Sequence, residues 1–291
     1  MEKYKVVIIG SGIAGMTAAI YLKRGGITPI IIENNAPGGT LNYIPNIENY
    51  PGYENISGPS LAENIYKQVK NLGIKYSSEE INNIDLERRI INNKIEYEYL
   101  VIATGRKPRL LGLENENKLL GRGISTCALC DGNFYKNKEV VIVGGGNSAL
   151  TESLYLSEIC KEVTIIIRKN SFTGEEYLID KVLNKNNIKV INNSNIIKYN
   201  TIEDKLVSVT LDNNKIIETE GVFLALGSTP NSEKFDVDKD NGYIITSNNY
   251  GTNISNVYAI GDVIKKDYYQ LINASYEGMM VALNIINKEK K

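Results

Sequence analysis

Two cysteines with two residues between them, Cys127 and Cys130 in CALCDG, are the residues of this chain best suited to chemistry. At that spacing a thiol pair can close a small disulfide ring, and a depressed pKa on one sulfur makes a reactive thiolate. Two other readings stand beside this one. Structural zinc wants four ligands, whereas the chain offers only Cys160 beyond the pair and no histidine. A reduced, inert pair in the core is the second, but the polar Asp131 and Gly132 alongside argue for a site reached by a partner. Cys160, late in LYLSEICKEV, reads as core filler. Asp131 is the nearest proton donor and acceptor. The chain has no His and no Trp, so there is no imidazole base, no Ser-His-Asp or Cys-His nucleophile, and no imidazole metal site.

Two glycine turns are the other chemical signals. Gly10, Gly12 and Gly15 form GxGxxG between an apolar run and a helical one. Glycine there permits the tight turn, lets a pyrophosphate approach the backbone and allows the helix to pack on the strand, while the helix N-terminus offers N–H groups to the anion. Glu33 closes the following strand, where a carboxylate accepts hydrogen bonds from ribose hydroxyls, as in FAD or NAD. The second turn, Gly144, Gly146 and Ala149, is GxGxxA, and its strand ends in Arg168 and Lys169. Cations suit a 2′-phosphate, which favours NADP over NAD; a merely solvated strand end is the alternative.

These motifs need elements to hold them, and the chain supplies two sets. Residues 5–33 and 139–168 each read strand, glycine turn, helix, strand, a βαβ unit. The duplication continues: RRIINNKIEYEYLVIATG turns at Asn92 and Asn93, and LVSVTLDNNKIIETEGVFLALG turns at Asp212 to Asn214. A further strand, NVYAIGD, comes too late to belong to the second half. The fold is therefore α/β, with two Rossmann-like three-layer nucleotide-binding domains, the second inserted in the first. Domain one covers 1–113 and 242–291 and domain two 114–241, with crossings at Glu114–Lys118 and Asp238–Gly242.

The balance of 33 Lys plus Arg against 34 Asp plus Glu leaves a net charge of -1, and no basic surplus to meet nucleic acid or an anionic membrane. A 42% hydrophobic content suits a soluble globular protein of 291 residues. The start MEKYKVVIIGSG reads as a strand rather than a signal peptide, and no apolar run is long enough to span a bilayer. The cytoplasm is the expected compartment, where a close cysteine pair is catalytic more often than structural.

In order and spacing these motifs resemble the low-molecular-weight thioredoxin reductases, FAD-dependent members of the pyridine nucleotide-disulfide oxidoreductase family. Besides GSGIAG and GGGNSA the resemblance rests on GGTL at 38–41, ENYPG at 48–52, ATG at 103–105, GRGIS at 121–125, ALGSTPN at 225–231 and AIGDV at 259–263, and it covers essentially the whole chain. It implies that domain one holds FAD through Gly10, Ser11, Gly12, Ile13, Ala14, Gly15, Glu33, Asn34, Gly38, Gly39, Thr40, Leu41, Asn49, Ala103, Thr104, Gly105, Gly261, Asp262, Gln270 and Leu271. Domain two would bind NADPH through Gly144, Gly146, Asn147, Ser148, Arg168 and Lys169. The resemblance further implies a homodimer in which Cys130 faces the flavin, Cys127 is the interchange thiol, Asp131 is the acid-base group and thioredoxin is the acceptor. In that family the inserted domain rotates to bring nicotinamide and disulfide to the flavin in turn.

The chain departs from the family pattern at identifiable places. Ile167 stands for the His of the phosphate-binding His-Arg-Arg, Thr173 for a third Arg, Tyr269-Gln270 for Arg-Gln, and Thr40 for a Gln near the flavin. Each lost cation removes about 1.5 to 3 kcal/mol where the contact is made. Ferredoxin or NADH as donor, and a non-catalytic flavin and disulfide redox sensor, are therefore the alternative readings, with a dithiol oxidase or a peroxidase-feeding role beyond them.

Overall fold

The run Val6–Ile9 is buried on both sides, as the central strand of a parallel sheet must be. In the computed structural model, which describes residues 1–44 and 47–290, that strand (Glu2–Ile9) lies between Ile30–Ile32 and Ile95–Ile102 in a seven-stranded sheet. Lys75–Ser77 extends one edge. On its other side Ile95–Ile102 pairs with Ile90–Ile91 at one end and with Val257–Ala259 at the other. The hairpin between Ile90–Ile91 and Ile95–Ile102 turns at Asn92 and Asn93, both with positive φ (51° and 54°), a conformation asparagine tolerates. The registers matter for function. Ile9 is level with Ile32 and Ile102, and Ile102 with Ala259, so Gly10, Glu33, Ala103 and the Ile260–Gly261 turn all leave the sheet at its carboxyl edge, where open α/β sheets bind ligands.

Residues 1–107 and from 229 onward form this first unit, and Pro108–Ser228 the second. In the second, the parallel order is Ile188–Ile191, Glu162–Ile166, Glu139–Val143, Gly221–Leu224, Ile124–Ser125. Val143 is level with Ile166 and Leu224, and Phe223 with Ser125. The second glycine turn and the segment leading to Cys127 therefore emerge at the same edge of one sheet. The layers follow from strand alternation. Val140, Ile142, Val163, Ile165 and Phe223 face the helix Asn147–Ser157, while Val141, Val143, Ile166, Val222 and Leu224 face an antiparallel three-stranded sheet spanning Ile196–Glu218. The outer layer on that side is β rather than α.

Both crossings lie earlier than the polar residues suggested. Contacts divide the chain after Lys107 and after Ser228, not at 113/114 and 241/242, and the crossing strands Arg106–Pro108 and Ser228–Pro230 pair with each other. Glu116, read as linker, is 2% exposed: its carboxylate accepts the amides of Leu111 (3.0 Å) and Gly112 (2.6 Å) and the hydroxyl of Tyr199 (2.7 Å). Buried and fully hydrogen-bonded, it anchors the start of the second unit. At the other crossing Phe235, Val237 and Ile244 are buried in the core of the first unit, against Ile102 and Val257. The burial of those apolar residues assigns 229–241 to the first unit.

The C-terminal helix Leu271–Glu289 packs along the first helix, Ile13–Arg24, at a distance only glycine permits. A Cβ on Gly278 would lie 2.3 Å from the carbonyl oxygen of Ala14 and 3.0 Å from the amide nitrogen of Ala18. Gly278→Ala is expected to push the two helices apart and destabilise the protein by about 1–3 kcal/mol, measured by the denaturant midpoint with flavin bound.

Candidate active site

In the first unit the residues named from sequence converge on the turn after Ile9. A Cβ on Gly10 (φ 105°) would stand 2.3 Å from the carbonyl oxygen of Ala103, whereas one on Gly12 would meet nothing within 4 Å. Gly10 therefore lets two strand ends come together, and Gly12 leaves the approach to the helix open. Gly12 is also the N-cap, with no side-chain cap, so the first amides of Ile13–Arg24 are left for an anion. Glu33 is held at this mouth: Oε2 accepts the amide of Ser11 (3.1 Å) and its hydroxyl (3.4 Å), and Oε1 accepts the amide of Asn35 (3.1 Å). Open glycine, uncapped helix and anchored carboxylate fit a dinucleotide with an unphosphorylated adenosine ribose.

The remaining named residues divide by what they present. Gly38 donates its amide to Ser11 O (2.9 Å), and Gly39 lies beside Gly12. Gly261 packs against Ala14 at the same mouth, and Asn49 Nδ2 reaches Gln270 Oε1 (3.3 Å) at the start of the C-terminal helix that Leu271 opens. Thr104 donates its hydroxyl to Asn231 O (2.6 Å), while Gly105 O accepts the Asn231 amide (2.9 Å). Asn34 and Thr40 are exposed, and Asp262 lies 3.6 Å from Lys266. Ile13, Ala14 and Leu41 are in the core and Ser11 is fully buried, so these four offer a ligand backbone rather than side chain.

The second turn repeats the geometry. Gly144 (φ 147°) would place a Cβ 2.4 Å from Ala225 O, and Gly146 caps Asn147–Ser157 without a side-chain hydrogen bond. Asn147 at that helix start is engaged, donating to Glu175 Oε1 (3.0 Å) and accepting the Glu175 amide (2.7 Å). Ser148 follows it in the first turn. Arg168 and Lys169 are exposed just beyond the strand end, while Ile167 is buried against Gly145. Thr173, in the place of a third cation, donates its hydroxyl to Gly145 O (3.3 Å) and its amide to the same oxygen (2.7 Å).

In the same unit Cys127 and Cys130 are joined as a disulfide, their Cα atoms 5.4 Å apart. Cys127 is the N-cap of the short helix Ala128–Asp131. Ser125 Oγ accepts its amide (3.0 Å), and its own sulfur accepts the amide of Cys130 (3.1 Å). A hydrogen bond to sulfur favours the anionic form, and Cys127 Sγ receives one from the Cys130 amide. Cys127 is buried, Cys130 exposed and Asp131 half-buried. Four residues past Cys130, Phe134 is 75% exposed.

Comparison with known proteins decides what this assembly belongs to. Over residues 4–278 the sequence matches the pyridine nucleotide-disulphide oxidoreductase family. The thioredoxin reductase of Rickettsia prowazekii (strain Madrid E) is 39% identical, the alignment covering 97% of this chain and 96% of that protein. The chain belongs to this family, on its thioredoxin reductase branch. The Vibrio cholerae thioredoxin reductase is 36% identical over 96% of this chain and 95% of its own. Among solved structures, thioredoxin reductase from Lactococcus lactis is similar with a TM-score of 0.87 at 33% identity, over 98% of each chain. The chain is a flavoprotein disulfide reductase, and Cys127–Cys130 is its disulfide.

Several residues that shape the reductase carry no sequence signal of their own. Glu277, 5% exposed on the C-terminal helix, accepts the amide of Gly261 (2.7 Å) and pairs with Lys266 (2.9 Å), bracing the turn that carries Gly261 and Asp262. Burial holds its carboxyl above the usual range, against the opposing pull of Lys266. Tyr269 rests over Arg106, whose guanidinium carbon is 4.7 Å from the ring centroid. Burial, then a hydrogen bond with Tyr243, pushes its phenol up to about 12. Glu152, on the helix Asn147–Ser157, turns one carboxylate oxygen into the protein with no partner among the described residues. Its neighbours on that helix, Ala149, Leu150, Ser153, Leu156 and Ser157, are buried, but no spacing in the sequence marks it.

Cys160 is buried, and desolvation pushes its thiol up to about 11. Its thiolate forms only as the pH nears that value, so at pH 8 it stays protonated and unreactive. Iodoacetamide applied to the reduced native protein at pH 8 is expected to label Cys127 and Cys130 and to spare Cys160 until denaturant is added, as read by peptide mass mapping.

Proposed function

We propose that this reductase passes electrons from NADPH, by way of FAD in the first unit and the Cys127–Cys130 disulfide in the second, to thioredoxin or a thioredoxin-like protein. The observation that carries the proposal is the emergence of disulfide and second glycine turn at one sheet edge, with Cys130 and Phe134 exposed there. FAD would be held by the Gly10–Gly15 turn, Glu33, Gly38–Leu41, Asn49, Ala103–Gly105, Gly261–Asp262 and Gln270–Leu271. NADPH would be held by Gly144, Gly146, Asn147 and Ser148, with Arg168 and Lys169 at the 2′-phosphate. When bound, the flavin supplies the two-electron relay between nicotinamide and disulfide.

The chain's own residues then carry out disulfide exchange. The Cys127 thiolate attacks a partner disulfide and forms a mixed disulfide, and the partner's other sulfur leaves as a thiolate and takes a proton. Cys130, deprotonated toward Asp131, attacks Cys127 Sγ; the partner departs as a dithiol and Cys127–Cys130 is restored. Two electrons and two protons pass in all. The role of each sulfur is read from the resemblance and is supported by the hydrogen bond that the Cys130 amide donates to Cys127 Sγ. Phe134 supplies an apolar contact beside the reacting pair.

The same reading includes a homodimer and a cytoplasmic setting. Ile272, Tyr276 and Leu283 are exposed along the C-terminal helix at spacings that share one helical face, an apolar stripe suited to a second copy. No helix among the described residues is long and apolar enough to cross a membrane.

Cys127→Ser and Cys130→Ser are each expected to abolish thioredoxin-linked insulin reduction while retaining bound FAD; activity surviving both would overturn the mechanism. In stopped-flow flavin bleaching, NADPH is expected to outpace NADH and reduced ferredoxin. Arg168→Ala is expected to raise the NADPH requirement by roughly 10- to 100-fold and to leave NADH unchanged. Slow bleaching by both nucleotides together with fast bleaching by ferredoxin would move the donor to the protein carrier, a reading favoured by the hydroxyl of Thr173 standing in the place of a cation.

A further inference from the structure

Behind the redox pair lies a carboxyl group that the exchange chemistry above leaves unused. Glu152 belongs to the helix that starts at the second glycine turn and packs against the short helix Ala128–Asp131. Its hydrogen-bond donor is the backbone amide of Ala128, the residue next to Cys127. Its Oε2 is buried with no partner among the described residues. A half-satisfied buried carboxylate is unfavourable, and its neutral form less so. The side chain would therefore be a liability in a purely structural position, where a Gln or Met would fill the same volume.

Resting on the disulfide-reductase reading, we propose that Glu152 is a positioning residue of the redox pair: it fixes the Cys127–Ala128 backbone, and its charge governs how readily the Cys127 thiolate forms. Reduction of Cys127–Cys130 breaks one S–S bond and adds two electrons and two protons. The proton on Cys127 must leave again before that sulfur attacks. With Glu152 neutral, the hydrogen bond from the Cys130 amide to Cys127 Sγ favours the thiolate unopposed from this side. With Glu152 ionised, a negative charge stands at the Ala128 amide, next to Cys127, and disfavours it.

Burial pushes the Glu152 carboxyl up to about 7, with the Ala128 amide pulling the other way. The charges of the packed elements are Asp131 on the redox helix, Glu176, Asp180 and Lys181 on the helix Glu176–Leu183, and Glu139 and Glu162 on the strands beneath. None of them is among the causes of the shift. On this proposal a change of charge at Glu152 shows as a second step in the reactivity of the Cys127 thiol.

The test follows Cys127 in the Cys130→Ser holoenzyme, by its iodoacetamide rate from pH 5 to pH 9. A two-step curve is expected, with one step near neutrality. Adding Glu152→Gln, which keeps an acceptor for Ala128, is expected to leave one step and to make Cys127 roughly three- to tenfold faster at pH 8. Glu152→Asp, which keeps the charge, is expected to retain two steps. Superimposable curves for Glu and Gln would overturn the proposal, as would a Gln variant that changes only the KM for NADPH. Flavin content and NADPH-driven flavin bleaching on the same samples report separately on the reductase reading. Their loss in the parent Cys130→Ser protein would count against that reading and not against Glu152.

Discussion

Both nucleotide turns depend on one steric condition: a strand end must touch the backbone of a neighbouring strand's end with no side chain between them. At Gly10 the obstacle would be Ala103 O at 2.3 Å, and at Gly144 it would be Ala225 O at 2.4 Å. Each glycine also has positive φ, so a side chain would be excluded twice, by space and by backbone conformation. Once that contact forms, the following helix begins at the sheet edge with its first amides uncapped, and the residues proposed to hold the nucleotides are arranged around it. Glu33, Gly38, Gly261 and the Asn231 to Gly105 hydrogen bond lie around the first turn; Thr173, Glu175 and the disulfide segment belong to the second.

The chemistry rests on a different economy. With no histidine in the chain, no imidazole stabilises a thiolate or carries a proton. The structure uses backbone amides and carboxyl groups instead. The Cys130 amide serves the Cys127 sulfur, Ser125 fixes the Cys127 peptide, Asp131 adjoins the exposed sulfur, and Glu152 takes the Ala128 amide from behind. Such an arrangement is sensitive to charge because its carboxyl groups lie partly out of water, where a change of ionisation is felt strongly by a neighbouring thiol.

Much of this was legible in the residues. Strand, glycine turn and helix at 5–33 and 139–168 have period and punctuation strong enough to survive folding, and the turns at Asn92–Asn93 and Asp212–Asn214 follow from asparagine's tolerance of positive φ. The crossings were misplaced for a physical reason. Polarity marks linkers only when polar residues stay in water, and Glu116 instead buries its carboxylate on two amides and a phenol. Between 229 and 241, Phe235 and Val237 are a single apolar pair among polar residues, too few to set a period, yet they enter the first core. Ser11 and Leu41 point into the protein, which a motif position does not reveal. Glu152 and Glu277 owe their importance to neighbours distant in sequence, so no spacing exposes them.

The central claim is that flavin and Cys127–Cys130 are two redox centres of one catalyst. An anaerobic dithionite titration of the purified flavoprotein, with thiols counted at the end point, tests it most directly. The account predicts electron uptake equal to the flavin plus one disulfide and the appearance of two new thiols per chain. Complete reduction at flavin equivalents alone, with the thiol count unchanged, would contradict it.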